Sequence, residues 1–434
     1  MKNGKLKDIG ALVLLLTVFF GFSIFSFSTD AGDVGLASFS NSMVLAKAHE
    51  KGEGFLQAIN VFEPGFQRSY TQDTFSYPLS AALLLFAHLV FGVSVYSPVV
   101  LCLFFGAGAV IFCYFLGKAV YNDRLYGLVL SLLIASDVYF NVNIKTGALI
   151  FAINIFLISA TLYFFIKAHL KDTLRRYAFI LLSSFFLSLC VFNGYPQPYS
   201  VFFFLGIFFV LVIVKYLLER LKVVAEGYSN IKLLRIDYYL VFALAAALLI
   251  SAHLFSWDLY NKMPLGTTYR ETMMQNIGSY APDVPRFKID DVEFNARTKK
   301  FFESVFVDID SESYFSSGGV HSDTAFSGQP VLPYLCTFFF IFGIYFALKK
   351  RRPGDILVLS FLGATFFIIF FIFKPYAPRI YIFSTLFLMM ASATVYVALV
   401  VSPMRKLFGA RFRLVAAFCS DFSFRDKLEE FLHF

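Results

Sequence analysis

Tyr77 to Ser94 reads Y-P-L-S-A-A-L-L-L-F-A-H-L-V-F-G-V-S, and whether this stretch crosses a membrane decides how everything after it is threaded. It is short, carries Pro78, His88 and Gly92, and runs into the next apolar segment with almost no turn. Ten further apolar stretches surround it, at 9–28, 96–117, 125–142, 148–166, 177–193, 196–214, 237–256, 331–348, 355–373 and 379–402. Runs of roughly 20 residues are what a ~30 Å hydrocarbon core requires at 1.5 Å per helical residue. Composition agrees: 58% of the 434 residues are hydrophobic, 19% aromatic and 15% charged, whereas a soluble domain carries about 25% charged residues. The bilayer replaces most of the usual core.

The basic residues arbitrate the threading, because short cytoplasmic loops hold the Lys and Arg excess. Counted as a span, with the N-terminus inside, Tyr77–Ser94 would turn four clusters outward: Lys167/Lys171/Arg175/Arg176, Lys215/Arg220/Lys222/Lys232/Arg235, Lys349/Lys350/Arg351/Arg352 and Arg405/Lys406/Arg411/Arg413. Left out of the count, it brings all four inside, with Lys118 and Arg124. The expected fold is therefore an all-α polytopic membrane protein, residues 1–434 forming one membrane domain with about 10 transmembrane helices. Residues 77–94 form an outer interfacial or re-entrant helix, 29–76 and 257–330 are two long outer loops, and 404–434 is a cytoplasmic tail. Both termini are expected to be cytoplasmic, in the cytoplasmic membrane of a prokaryote or the ER membrane of a eukaryote. The first run, Ile9–Ser28 after Lys2, Lys5 and Lys7, looks like a signal peptide but is long enough to span and lacks a small-residue cleavage pattern; it reads as a retained helix. The net charge of +8 lies in short clusters between apolar runs, which argues against a nucleic-acid partner. Cys102, Cys113, Cys190, Cys336 and Cys419 show no metal-ligand spacing.

The short outer loops keep three basic residues, Lys145, Lys374 and Arg379. Each needs a structural reason, such as snorkelling, or an anionic ligand. Lys374 and Arg379 flank a proline-constrained turn, K-P-Y-A-P-R-I-Y, and the planar fork of Arg matches phosphate. The first outer loop opens T-D-A-G-D-V, setting Asp30 and Asp33 directly after the first span. An acid at that depth suits general-base work, since desolvation raises its pKa; Asp, Gly and Thr also suffice to end a helix. N-G-Y-P-Q-P-Y carries Asn193 and Tyr195 in a tight outer turn, and S-S-G-G-V-H-S-D holds His321 in a Gly- and Ser-rich stretch. Amide, phenol and imidazole groups there suit sugar or acceptor hydroxyls, although Pro and Gly explain the turn by themselves. No cofactor is expected; D-I-D (Asp308, Asp310) and Asp290/Asp291 are the pairs able to carry a divalent cation between phosphates. No Walker loop, H-E-x-x-H or G-x-S-x-G elbow is present.

The order of these features resembles the GT-C membrane glycosyltransferases, in particular the group of dolichyl-phosphate-mannose protein mannosyltransferases and aminoarabinose transferases. The resemblance rests on Asp30 or Asp33, on S-Y-P-L-S-A-A-L-L-L-F (Ser76 to Phe86), on F-G-V-S-V-Y-S-P (Phe91 to Pro98), on the basic turn G-K-A-V-Y-N-D-R-L-Y-G (Gly117 to Gly127) and on A-P-R-I-Y (Ala377 to Tyr381). It implies an outward cleft in which a polyprenyl-phosphate sugar docks from the bilayer. Asp33 or Asp30 would be the base, Arg379 with Lys374 and Lys145 would hold the phosphate, and Asn193, Tyr195, Tyr381 and His321 would contact sugar or acceptor, itself a protein, lipid or glycan. One departure stands out: N-V-N-I-K-T-G-A-L has Gly147 where relatives carry a second acid.

Two rival classes are a lipid-linked polysaccharide polymerase or ligase and a multi-spanning transporter, the latter expected to carry ionisable groups near the bilayer midplane. The threading makes a direct prediction. In a chain lacking native cysteines, Ser229→Cys and Asp355→Cys stay unlabelled by a membrane-impermeant maleimide added outside; labelling of either overturns the topology.

Overall fold

The structure is a computed structural model that describes residues 2–25, 78–92, 96–121, 123–145, 147, 149–170, 175–193 and 236–261, with single positions at 206, 210, 213, 393 and 397. Every element in these segments is helical. They are α1 (Lys2–Phe20), continued by a π-turn (Gly21–Phe25), α2 (Pro78–Phe91), α3 (Ser97–Tyr121), α4 (Arg124–Ala135), α5 (Val138–Lys145), α6 (Leu149–Leu170), α7 (Arg175–Phe192) and α8 (Ile236–Asn261). Among the described residues three helical segments are long and apolar enough to cross a membrane: Leu6–Ile24, Ser97–Tyr121 and Phe151–Ala168.

α1 shows why these helices need lipid. Ala11, Leu15 and Phe19, spaced one turn apart, are buried, yet Ile9, Val13 and Phe20 on the other faces are exposed and equally apolar. A helix apolar all round has no face for water. Its inner stripe packs on α3 and α4, and one ion cluster fixes its start. Asp8 accepts from Lys118 Nζ at 2.7 and 2.9 Å, from Arg124 Nε at 3.0 Å and from the Tyr114 hydroxyl at 2.6 Å. The cluster is partly buried, so solvent screens it less than a surface pair. It ties the first helix to the turn between α3 and α4.

That turn is built by close approach. Asp123 caps α4, its Oδ1 accepting from Leu125 N at 2.8 Å. A Cβ on Gly117 would lie 2.9 Å from Gly127 Cα, and one on Gly127 would run into the Tyr114 carbonyl oxygen. Two glycines therefore let the helices touch backbone to backbone, the device that replaces hydrophobic driving force between helices in lipid.

α3, α6 and α7 form the centre of the bundle. Phe112 meets Phe156, Tyr163, Phe164 and Phe186 with ring centroids 5.4 to 6.0 Å apart. Tilted and edge-on ring pairs contribute about 0.5–1.5 kcal/mol each beyond simple burial. Serine hydroxyls cross-link the backbones: Ser131 donates to Val110 O at 2.7 Å, Ser183 to Thr161 O at 2.8 Å and Ser184 to Phe242 O at 3.1 Å.

The structure departs from the expected elements in two places. The span expected over 125–142 is two helices, broken at Ser136 and Asp137. A hydropathy run does not register the break because the surrounding residues are apolar; Asp137 makes it by capping α5, with Phe140 N donating to its Oδ1 at 2.7 Å. α8 continues to Asn261, past the expected loop start at 257. α2 has 14 residues, about 21 Å at 1.5 Å per residue, less than a ~30 Å core. The first outer loop, the rest of the second, the spans expected after 330 apart from Ala393 and Val397, and the tail lie outside the described residues.

Two substitutions test this packing by thermal unfolding in detergent. Asp8→Ala leaves Lys118 and Arg124 facing each other over a partly buried gap, at a cost of about 1–3 kcal/mol. Gly127→Ala forces α3 and α4 apart and also lowers the midpoint. Unchanged midpoints for both would show that α1 does not dock on this turn.

Candidate functional site

The ends of the bundle differ in chemistry. The helix ends that carry Lys2, Lys5, Lys7, Lys118, Arg124, Lys167, Arg175 and Arg176 gather at one end, as the Asp8 cluster and the Phe164–Phe179 stack at 6.0 Å require. Among the described residues Lys145 is the one Lys or Arg at the opposite end. The same part of the bundle holds buried uncharged polar groups, Ser23, Ser80, Asn141, Asn143, Asn154 and Asn193, with one buried carboxylate, Asp137.

Lys145 closes α5, and its position follows from how that short helix is held. Asn141 Nδ2 donates to Ala135 O at 2.9 Å and to Asp137 O at 2.7 Å, so one amide bridges the carbonyls on both sides of the break. Its Oδ1 accepts from the Ser23 hydroxyl at 2.6 Å. Lys145 stands one turn further on, on the same helix face. It is half-buried, and desolvation pulls its ammonium below the ordinary lysine range.

Gly147 ends α5. Its φ is +71° and its N–H donates to Ile144 O at 3.2 Å, the left-handed closure that glycine provides without a Cβ penalty. A Cβ there would lie 3.0 Å from Pro98 Cβ at the start of α3. The position where the resemblance leads one to expect an acid is thus, in this chain, a close contact between backbone and proline. Asn193 at the end of α7 is fully buried. Its Oδ1 accepts from Ser80 N at 3.0 Å and Ser80 Oγ at 2.7 Å, and its Nδ2 donates to Asn154 Oδ1 at 2.9 Å. It completes the open N–H groups at the start of α2 in the manner of an N-cap supplied by another helix.

Of the expected site residues, the structure brings Lys145 and Asn193 to the same end of the bundle, with Asn193 engaged by protein on both its amide atoms. Asp30, Asp33, Tyr195, His321, Lys374, Arg379 and Tyr381 lie outside the described residues. Ser23, Ser80, Asn141 and Asn154 were not singled out from sequence. The available signal was an Asn inside an apolar run, as in N-V-N-I-K, since an amide in hydrocarbon needs a partner.

No protein-family model matches the sequence, and no curated protein matches it. In structure the chain is similar to the oligosaccharyltransferase of Archaeoglobus fulgidus in its apo form, at a TM-score of 0.46 and 14% identity, covering 95% of this chain and 54% of that one. The chain spans about half the length of that enzyme.

Gly147→Asp tests the turn. The left-handed backbone costs a non-glycine residue about 1–2 kcal/mol, and the Cβ contact with Pro98 adds to it, so Gly147→Asp and Gly147→Ala both unfold at a lower temperature than the parent. A neutral Gly147→Asp would mean that the turn readily accepts the acid.

Proposed function

We propose that this chain is a glycosyltransferase that moves one sugar from a polyprenyl-phosphate donor to an acceptor on the outer face of the membrane. The observation that supports it is the charge pattern: among the described residues the basic ones crowd one end, and the other end keeps a single half-buried Lys145. Ser23 packs against α5 through Asn141, so the first span leaves the bundle next to the helix of Lys145. Asp30 lies seven residues beyond Ser23, a tether of at most about 25 Å.

In this scheme Asp33, or Asp30, takes the proton of the acceptor hydroxyl as its oxygen attacks the anomeric carbon with inversion. The bond between that carbon and the phosphate oxygen breaks, and the carrier leaves as polyprenyl phosphate. Arg379, Lys374 and Lys145 stabilise the developing charge on the phosphate, a term that commonly supplies much of such a rate enhancement. Tyr195, Tyr381 and His321 contact sugar or acceptor. Neither a cofactor nor a metal is used.

The break between α4 and α5 with buried Asp137 favours a second reading, a transporter, since discontinuous helices build substrate sites in transporters. One assay separates the two. Purified protein is incubated with defined polyprenyl-phosphate sugars and free carrier phosphate is followed by mass spectrometry. A transferase releases it; a transporter leaves the donor intact. Asp33→Asn keeps donor binding and loses turnover. Arg379→Ala weakens donor binding by about 2–3 kcal/mol, and Arg379→Lys restores part of it. No release from any donor by the parent protein overturns the proposal.

A further inference from the structure

Two spans depart from regular helix geometry, and they do so at the same point. α1 changes to a π-turn over Gly21–Phe25, and the α4–α5 span breaks at Ser136 and Asp137. A π-turn is rare, and one placed in a helix re-aims the side chains after it. The two irregularities meet in one buried hydrogen bond, from the Ser23 hydroxyl to Asn141 Oδ1 at 2.6 Å. Ser23 is 3% exposed and Asn141 fully buried. With both Nδ2 protons on Ala135 O and Asp137 O, Asn141 fixes three separate backbone directions from one amide. Such a group is held firmly, because an unmade bond in this environment is costly.

The consequence falls on the last turn of α5. This helix has 8 residues, so Lys145 is carried about 6 Å along the axis from Asn141 with no intervening joint. Beyond it the left-handed Gly147 seals against Pro98. Between them, Ile144 and Phe19 both close on Gly106 of α3. Apolar contact restrains α5, including Phe19 against Phe140 with ring centroids 5.9 Å apart, and the bond to Ser23 adds a directional polar tie to the end of α1.

The geometry points to Asn141, acting through Ser23, as the positioning residue that sets where Lys145 stands at the anion-holding end of the bundle. This inference rests on the reading of Lys145 as a phosphate-holding residue.

The test uses the full chain in nanodiscs with undecaprenyl phosphate as the probe. Ser23→Ala removes only the bond between the spans, and Ser23→Thr keeps the hydroxyl. Ser23→Ala weakens binding about five- to tenfold, a common size for coupled neighbours, while Ser23→Thr stays within about twofold of the parent. In a Lys145→Ala background Ser23→Ala has no further effect. Additive losses, or Ser23→Thr as weak as Ser23→Ala, overturn the inference. If Lys145→Ala leaves undecaprenyl phosphate binding unchanged, the phosphate-holding reading of Lys145 fails, and a distance measurement decides the positioning role alone. Spin labels go on Tyr96→Cys, at a site 75% exposed, and on Lys145→Cys, in a chain lacking Cys336 and Cys419. Cys102, Cys113 and Cys190 are buried and stay unlabelled. Ser23→Ala broadens the distance distribution and Ser23→Thr restores it; a distribution that Ser23→Ala does not change overturns the inference.

Discussion

Inside a hydrocarbon slab no water is at hand to complete a hydrogen bond, so every backbone group released by an irregular helix has to find its partner within the protein. The polar end of this bundle is organised around that demand. At the break after Ala135 the Asn141 side-chain amide donates to the carbonyls of Ala135 and Asp137. The start of α2 leaves N–H groups open, and Asn193 accepts from Ser80 there. Neither asparagine is then left with an idle amide, because Ser23 and Asn154 complete them. One set of bonds ties the π-turn to α4 and α5, and a second ties α2 to α6 and the end of α7.

The opposite end solves a different problem. There the helices leave the apolar layer among basic residues, and the joining group is a carboxylate. Asp8 draws Tyr114, Lys118 and Arg124 together and so turns an excess of like charge into a bond between α1 and the α3–α4 turn. Gly117 and Gly127 bring the backbones close enough for this cluster to form. An ion cluster suits the end where water can still reach it, at 19% exposure of the Asp8 side chain. At the other end asparagine amides do most of the joining, beside one buried carboxylate, Asp137, which caps α5.

Against this background Lys145 is the odd group. It is a half-buried cation at an end otherwise rich in uncharged polar groups, and the chain carries it beyond a helix break and a π-turn and just before a left-handed glycine. Irregular backbone of this kind is tolerated at membrane depth only where it is buried in protein or lines a water-filled cavity. In the proposed function that geometry has a use, since it holds a cation where the phosphate of the donor is bound.

What the sequence determined by itself was set by solvent. Runs such as Ser97–Tyr121 and Phe151–Ala168 are legible as helices fit to cross a membrane, because hydropathy is a local sum over consecutive side chains. The short extent of α2 was visible in Pro78 and Gly92, one opening the helix and the other ending it with a φ of +79°. The glycines of G-K-A-V-Y-N-D-R-L-Y-G were on view as a turn, but not their contact. Tertiary structure alone decided which polar groups pair. Asn193 lies 113 residues from Ser80, Asn141 118 from Ser23 and Lys118 110 from Asp8. Nothing local distinguishes an Asn that will bridge a broken helix from one that will face a ligand. That choice depends on which helices come within about 3 Å of each other, and this is fixed by small residues and ring shapes packing across the bundle rather than by the residues beside the asparagine in the chain.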